Sequence, residues 1–138
     1  MKKFLSILTF TILSSSLMAQ NVTVVLSQNK CKMSKLPELQ QMLEDNGKAI
    51  LNDLVAQGKL INWGVLTHAW GDEYNWNVFY VAESHEKFIA AWNEFIEKVA
   101  ENDPEFSEKL WEICWEHKDS IYNQVMGYNL SKAEAEEN

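Results

Sequence analysis

Long apolar runs are all but missing from this chain. After the first nineteen residues no stretch is long enough to cross a bilayer, which takes about 20 apolar residues. Cysteine is as scarce: only Cys31 and Cys114 occur, and there is no CxxC pair or Cys/His cluster of the kind that holds zinc. The three histidines, His68, His85 and His117, follow no regular spacing, which argues against a metal site. A glycine-rich phosphate loop, a GxSxG nucleophile turn and a Walker-type segment are also lacking, and nothing calls for a cofactor. Positive charge is the minority sign, with 12 Lys and Arg against 20 Asp and Glu and a net charge of −8. That balance disfavours nucleic acid, whose phosphates need clustered cations, and anionic lipid surfaces; it serves solubility. With no internal repeat and no linker, one domain is expected.

What is present begins with a leader. Lys2 and Lys3 form a basic start, Phe4 to Leu13 is apolar but for Ser6, Thr9 and Thr11, and Ser14 to Ala19 is small and polar. This is the layout of a secretory signal peptide. Residues 1–19 are therefore expected to be removed, leaving a domain over 20–130 and a polar tail over 131–138. The leader holds two of the basic residues, so the mature chain lies near −10, with 10 basic and 20 acidic residues. Export to the periplasm or the medium permits a disulfide. Cys31 and Cys114 are the candidates, the alternative being two buried thiols.

Periodicity supplies the elements. "NVTVVLS", 21–27, is short and β-branched and reads as a strand. "QNKCKMSK" reads as a connector, and Pro37 suits the first turn of a helix. Leu39, Met42, Leu43, Ile50, Leu51 and Leu54 then recur at helical spacing, with Gly47 weakening the middle and Gly58 ending it. "KLINWGVLTHAW" and "YNWNVFYVA" form two strands around a turn at Gly71 to Glu73. Ser84 can cap a helix whose stripe is Phe88, Ile89, Trp92, Phe95, Ile96 and Val99. Asp103 and Pro104 open another, with Phe106, Leu110, Ile113, Cys114 and His117 on one face and Trp111 and Trp115 on another. "SIYNQVMGY", 120–128, is the expected last strand. The order β-α-β-β-α-α-β is the split βαβ pattern of a ferredoxin-like α+β fold with one additional helix before the last strand. It implies a four-stranded antiparallel sheet with helices on one face.

A three-residue turn at 71–73 would pair Trp70 with Tyr74 and set His68 opposite Trp76, Leu66 opposite Val78 and Gly64 opposite Tyr80. One face of the sheet would then carry Leu66, His68, Trp70, Trp76, Val78 and Tyr80. The other would carry Trp63, Thr67, Asn77 and Phe79 toward the helices and Trp92. Neither face is polar, although an antiparallel sheet covered on one side usually has a wet side. A large apolar patch marks an interface, so the first set is expected to join two copies of the chain. The second set is expected to line a small-molecule pocket, largely apolar with few polar groups.

The strand order, the two-sided apolar hairpin around "GKLINWGVL" and "GDEYNWNVFYVAES", and the size of the chain resemble the dimeric α/β-barrel superfamily, in particular antibiotic-biosynthesis-monooxygenase-like (ABM-like) domains. The resemblance covers almost all of the mature chain and is one of architecture, not of a catalytic signature. It implies two ferredoxin-like subunits joined sheet to sheet, with a cavity between sheet and helices in each. Members include cofactor-free monooxygenases, haem-degrading enzymes, isomerases and proteins with no known activity, so fold leaves the chemistry open. No family motif matches residue by residue, and no functional residue is carried over.

Two histidines are the candidates for catalysis. His68 among aromatics can act as a base or contact an aromatic ligand; otherwise it is an interface histidine. His117, two residues before Asp119 at an expected helix end, can carry a proton or simply complement the helix dipole. The expected function is binding of a small apolar or aromatic molecule. The alternative is a cofactor-independent monooxygenase or isomerase acting on an aromatic or lipophilic compound, with His68 or His117 as proton carrier.

Overall fold

A computed structural model describes residues 22–70 and 73–125. The leader, Gly71 and Asp72 of the hairpin turn, the end of the expected last strand and the polar tail lie outside the described residues. Four strands form one antiparallel sheet: β1 (Thr23–Cys31), β2 (Asn62–Thr67), β3 (Trp76–Ala82) and β4 (Cys114–Asn123), in the order β2-β3-β1-β4. That is the expected ferredoxin-like α+β topology, with β1 central. Four helices accompany it: α1 (Leu36–Asn46), α2 (Lys48–Ala56), α3 (His85–Asn102) and α4 (Phe106–Ile113), with a 3-10 turn at Met33–Lys35 before α1.

Side chains alternate across each strand, so the register decides which face each residue serves. Val25 pairs with Tyr80, Ser27 with Val78 and Asn29 with Trp76, and all of these are buried on the helix side. Val24 pairs with Val81, Leu26 with Phe79 and Gln28 with Asn77 on the open side. The helix-side core adds Leu39, Leu51, Leu54, Phe88, Phe95 and Val99. Burying each such side chain is worth roughly 1.5–3 kcal/mol.

The hairpin register differs from the expected one by a single residue. Leu66 pairs with Asn77 and Thr67 with Trp76, so Val65 faces Val78 and Trp63 faces Tyr80. A one-residue slip moves a strand's whole apolar set to the other face. Trp76, Val78 and Tyr80 therefore belong to the helix-side core and not to an open-face interface. Asn77 and Phe79 lie on the open face and not in a helix-side pocket. Leu66, Trp63 and Thr67 keep their expected faces, because the slip falls on β3. Asn75 anchors it: its backbone N–H donates to Asn29 O at 3.0 Å, and His68 N donates to Asn75 O at 3.2 Å. The Asn75 side chain accepts from Cys31 N at 2.8 Å and donates to Cys31 O at 2.6 Å. Phe79 settles over Gly64, where a Cβ would lie 2.5 Å from the ring.

Other boundaries move for physical reasons. The segment read as a connector after Ser27 continues β1, because Gln28 and Asn29 are paired on both sides and buried. The long first helix breaks at Gly47, which is buried and where a Cβ would come within 2.7 Å of Leu43 Cδ1 and 3.3 Å of Phe95. Gly58 follows α2 in the left-handed region, φ 69°, which suits glycine. Ser84 caps α3, accepting from Lys87 N. Ile89 and Ile96 of the expected stripe are partly exposed, and Ala91 is buried in their place. The last strand starts at Cys114 and not at Ser120, so His117 and Trp115 are strand residues. The ladder shifts between Lys30 and Cys31: Lys30 pairs with Glu116 and Cys31 with Cys114. Trp115 is the extra residue of this bulge. Cys31 and Cys114, 83 residues apart, are joined by a disulfide across this pair.

Candidate functional site: a cavity between sheet and helices

A cavity of about 280 Å³ lies between the helix side of β1, β3 and β4 and the inner faces of α1, α3 and α4. Its size is close to the roughly 300 Å³ at which small-molecule pockets begin. The walls are apolar. Trp92, Phe95 and Val99 come from α3, Leu39 and Leu43 from α1, and Phe106, Leu110 and Trp111 from α4. Aromatic contacts fix one side: the Trp92 ring meets Tyr80 edge-on at 5.5 Å and lies 5.4 Å from Phe95, and Phe88 supports both Tyr80 and Trp92.

The floor is polar and comes from the sheet. Ser27, Asn29, Tyr80 and His117 all line the cavity. Asn29 and His117 are cross-strand partners. Asn29 Nδ2 donates to Trp76 O at 3.3 Å, and Asn29 Oδ1 lies 2.9 Å from His117 Nδ1. The amide orientation makes that ring nitrogen the donor. His117 Nε2 lies 2.9 Å from Asp119 Oδ2. Both ring nitrogens are therefore engaged within the protein, and neither is free to exchange a proton with a ligand. The Trp111 ring stands edge-on to His117 at 6.0 Å. The expected helix-dipole role of His117 is replaced by this Asn29–His117–Asp119 chain. Burial pushes the Tyr80 phenol well above its ordinary value, and the nearby Asp119 charge adds to it, so the hydroxyl keeps its proton. At the rim, Lys109 Nζ holds both carboxylate oxygens of Asp103 at 3.1 Å.

The expected site residues are thus divided. Trp92 lines the cavity; Trp63 and Thr67 instead line an open groove of about 320 Å³ between β2 and α1, with Trp76 between the two spaces. His68 lies past the end of β2 and lines neither space. Among the described residues, no group of three or more His, Cys, Asp and Glu is placed to hold a metal. Likewise, no described helix is long and apolar enough to cross a membrane. Sequence reasoning missed Ser27 and Asn29, and it set Tyr80 on the opposite face. The available signal was the period-two continuation of Thr23, Val25, Ser27, Asn29 and Cys31, hidden by the polar side chains in it.

The open face has two characters. Leu66, Val24, Leu26, Phe79, Val81 and Tyr122 form an apolar field, with Leu66 and Tyr122 about half exposed. Beside it, Lys30 Nζ bridges Glu73 at 2.8 Å and Glu116 at 2.9 Å, and Tyr74 OH donates to Glu116 at 2.7 Å. Lys30 first, then Tyr74, hold the Glu116 carboxyl below the usual carboxylate range. Asn77 Oδ1, buried between these regions, has no hydrogen-bond partner among the described residues.

No family model and no curated protein matches the sequence. Solved structures do match the fold. A dimeric ferredoxin-like protein from an uncultured marine organism is 14% identical with a TM-score of 0.63, over 78% of this chain and 90% of that one. A NIPSNAP family protein of unknown function from Agrobacterium tumefaciens is 14% identical with a TM-score of 0.63, over 80% and 95%. A proposed antibiotic biosynthesis monooxygenase from Nitrosomonas europaea is 11% identical with a TM-score of 0.58, over 80% and 96%. At these identities it is the fold alone that is shared: the chain has a ferredoxin-like α+β fold like that of these structures.

Proposed function

We propose that this is an exported protein that binds a small apolar or aromatic molecule in the cavity between sheet and helices, and that it works as a homodimer joined through its open sheet faces. The cavity carries the reading: an apolar chamber built from three strands and three helices, with its polar groups gathered on the floor. The half-exposed Leu66 and Tyr122, the unpartnered Asn77 carbonyl and the dimeric ferredoxin-like neighbour support the pairing. The disulfide and the leader support export. A cofactor-independent monooxygenase or isomerase needs a proton carrier at its substrate. His117 has both nitrogens engaged, and His68 lies outside the cavity, so binding is the better-supported reading.

The test is a fluorescence titration of the mature protein with the neutral probe N-phenyl-1-naphthylamine. Saturable binding of one probe per chain is expected. Ser27→Phe, which projects a ring from a rigid strand into the cavity, is expected to abolish it with unchanged circular dichroism. No saturable signal, or equal binding by the folded variant, would remove the reading.

A further inference from the structure

Two hydroxyls on the cavity floor are unusual in having nothing to bond. Ser27 is 7% exposed and Tyr80 5% exposed. Both line the cavity, and neither side-chain oxygen has a hydrogen-bond partner among the described residues. Neither oxygen is fully sealed in the way Asn77 Oδ1 is. Polar groups in protein interiors are ordinarily satisfied, and one that is not needs an explanation. The two belong to neighbouring strands, Ser27 pairing with Val78 and Tyr80 with Val25, so they are diagonal neighbours on one face. Each is a hydroxyl on the cavity-lining face to which a ligand oxygen could bond.

The carboxylates around the cavity already have partners. Asp119 is bonded to His117, and Asp103 to Lys109. No lysine lines the cavity, and the chain contains no arginine at all, the residue best suited to grip a carboxylate in two places. An ion entering this space would be desolvated without a free counter-charge, which is strongly unfavourable.

We infer that the cavity selects uncharged oxygenated apolar molecules, a ketone or an alcohol on a hydrocarbon body, with the ligand oxygen held by the Tyr80 or the Ser27 hydroxyl, and that it rejects the corresponding carboxylates and ammonium ions. This rests on the reading that the cavity binds a small apolar molecule, and it adds the head group. Apolar walls take up the hydrocarbon body. A carbonyl accepts from either hydroxyl, and a ligand hydroxyl can donate to it or accept from it.

The experiment is a titration of the mature wild-type protein, followed by tryptophan fluorescence, with four probes that share one body: naphthalene, 2-acetylnaphthalene, 2-naphthoate and naphthalen-2-ylmethylammonium. The ketone is expected to bind at least about ten-fold more tightly than either ion. Tyr80→Phe is expected to weaken ketone binding about five-fold and to leave naphthalene unchanged, with Ser27→Ala acting in the same direction. The inference fails if an ion binds as tightly as the ketone. It fails equally if the ketone loses nothing in both variants while naphthalene still binds, and in that case the binding reading survives. If none of the four binds, both fall.

Discussion

At the scale of single residues, Asn75 does more for the fold than its polar side chain suggests. It is 6% exposed, and its amide satisfies both the N–H and the C=O of Cys31, as a neighbouring strand would. Asn75→Ala strands two buried backbone groups. A loss of about 2–4 kcal/mol is expected in urea denaturation; a loss under about 0.5 kcal/mol would contradict the assignment. His117 shows what could and could not be read in advance. The sequence marks it as a histidine close to Asp119, but its first partner is Asn29, 88 residues earlier. No local pattern reports a cross-strand neighbour at that distance. Asn29 itself sat in a stretch so polar that it read as a connector, whereas its burial follows from pairing on both sides.

Among the elements, the hairpin decides the most. Its two strands and their apolar character were legible from composition and alternation, and so was the order of strands and helices, save that the one expected first helix is two, α1 and α2. The register was not, since β3 is large and apolar on both faces: Trp76, Val78 and Tyr80 on one, Phe79 and Val81 on the other. Pattern alone cannot choose between such sets. The choice rests on Asn75, held to β1, and on Gly64, which admits the Phe79 ring. Gly64→Val separates two effects of opposite sign. Valine favours a strand, but its Cβ would meet the Phe79 ring at 2.5 Å. The clash is expected to win, with a loss of about 1–3 kcal/mol in urea denaturation; a variant as stable as the wild type or more so would mean that the ring has room to move. The start of β4 was hidden for a related reason. "LWEICWEH" keeps helical spacing through His117, and only the pairing of Cys114 with Cys31 and the bulge at Trp115 end the helix at Ile113.

For the whole molecule, the disulfide closes most of the domain into one loop. Cys31 and Cys114 are 83 residues apart, and a loop of that length corresponds to about 4.5 kcal/mol on the chain-entropy model. Reduction, or a Cys31→Ser, Cys114→Ser double variant, is expected to lower unfolding stability by that order in equilibrium urea titration; an unchanged midpoint would show that the bond contributes nothing. The tie also joins β1 to the junction of α4 and β4, beside the cavity wall formed by Leu110 and Trp111, so it fixes the chamber as well as the chain. On the opposite side of the sheet, Leu66 and Tyr122 are left half exposed in an apolar field, which a second copy would cover. The two halves of the proposal, a filled cavity and a covered face, meet in one measurement: native mass spectrometry of the mature protein purified from its own host. A dimer carrying additional mass of small-molecule size is expected. A bare monomer would contradict the proposal.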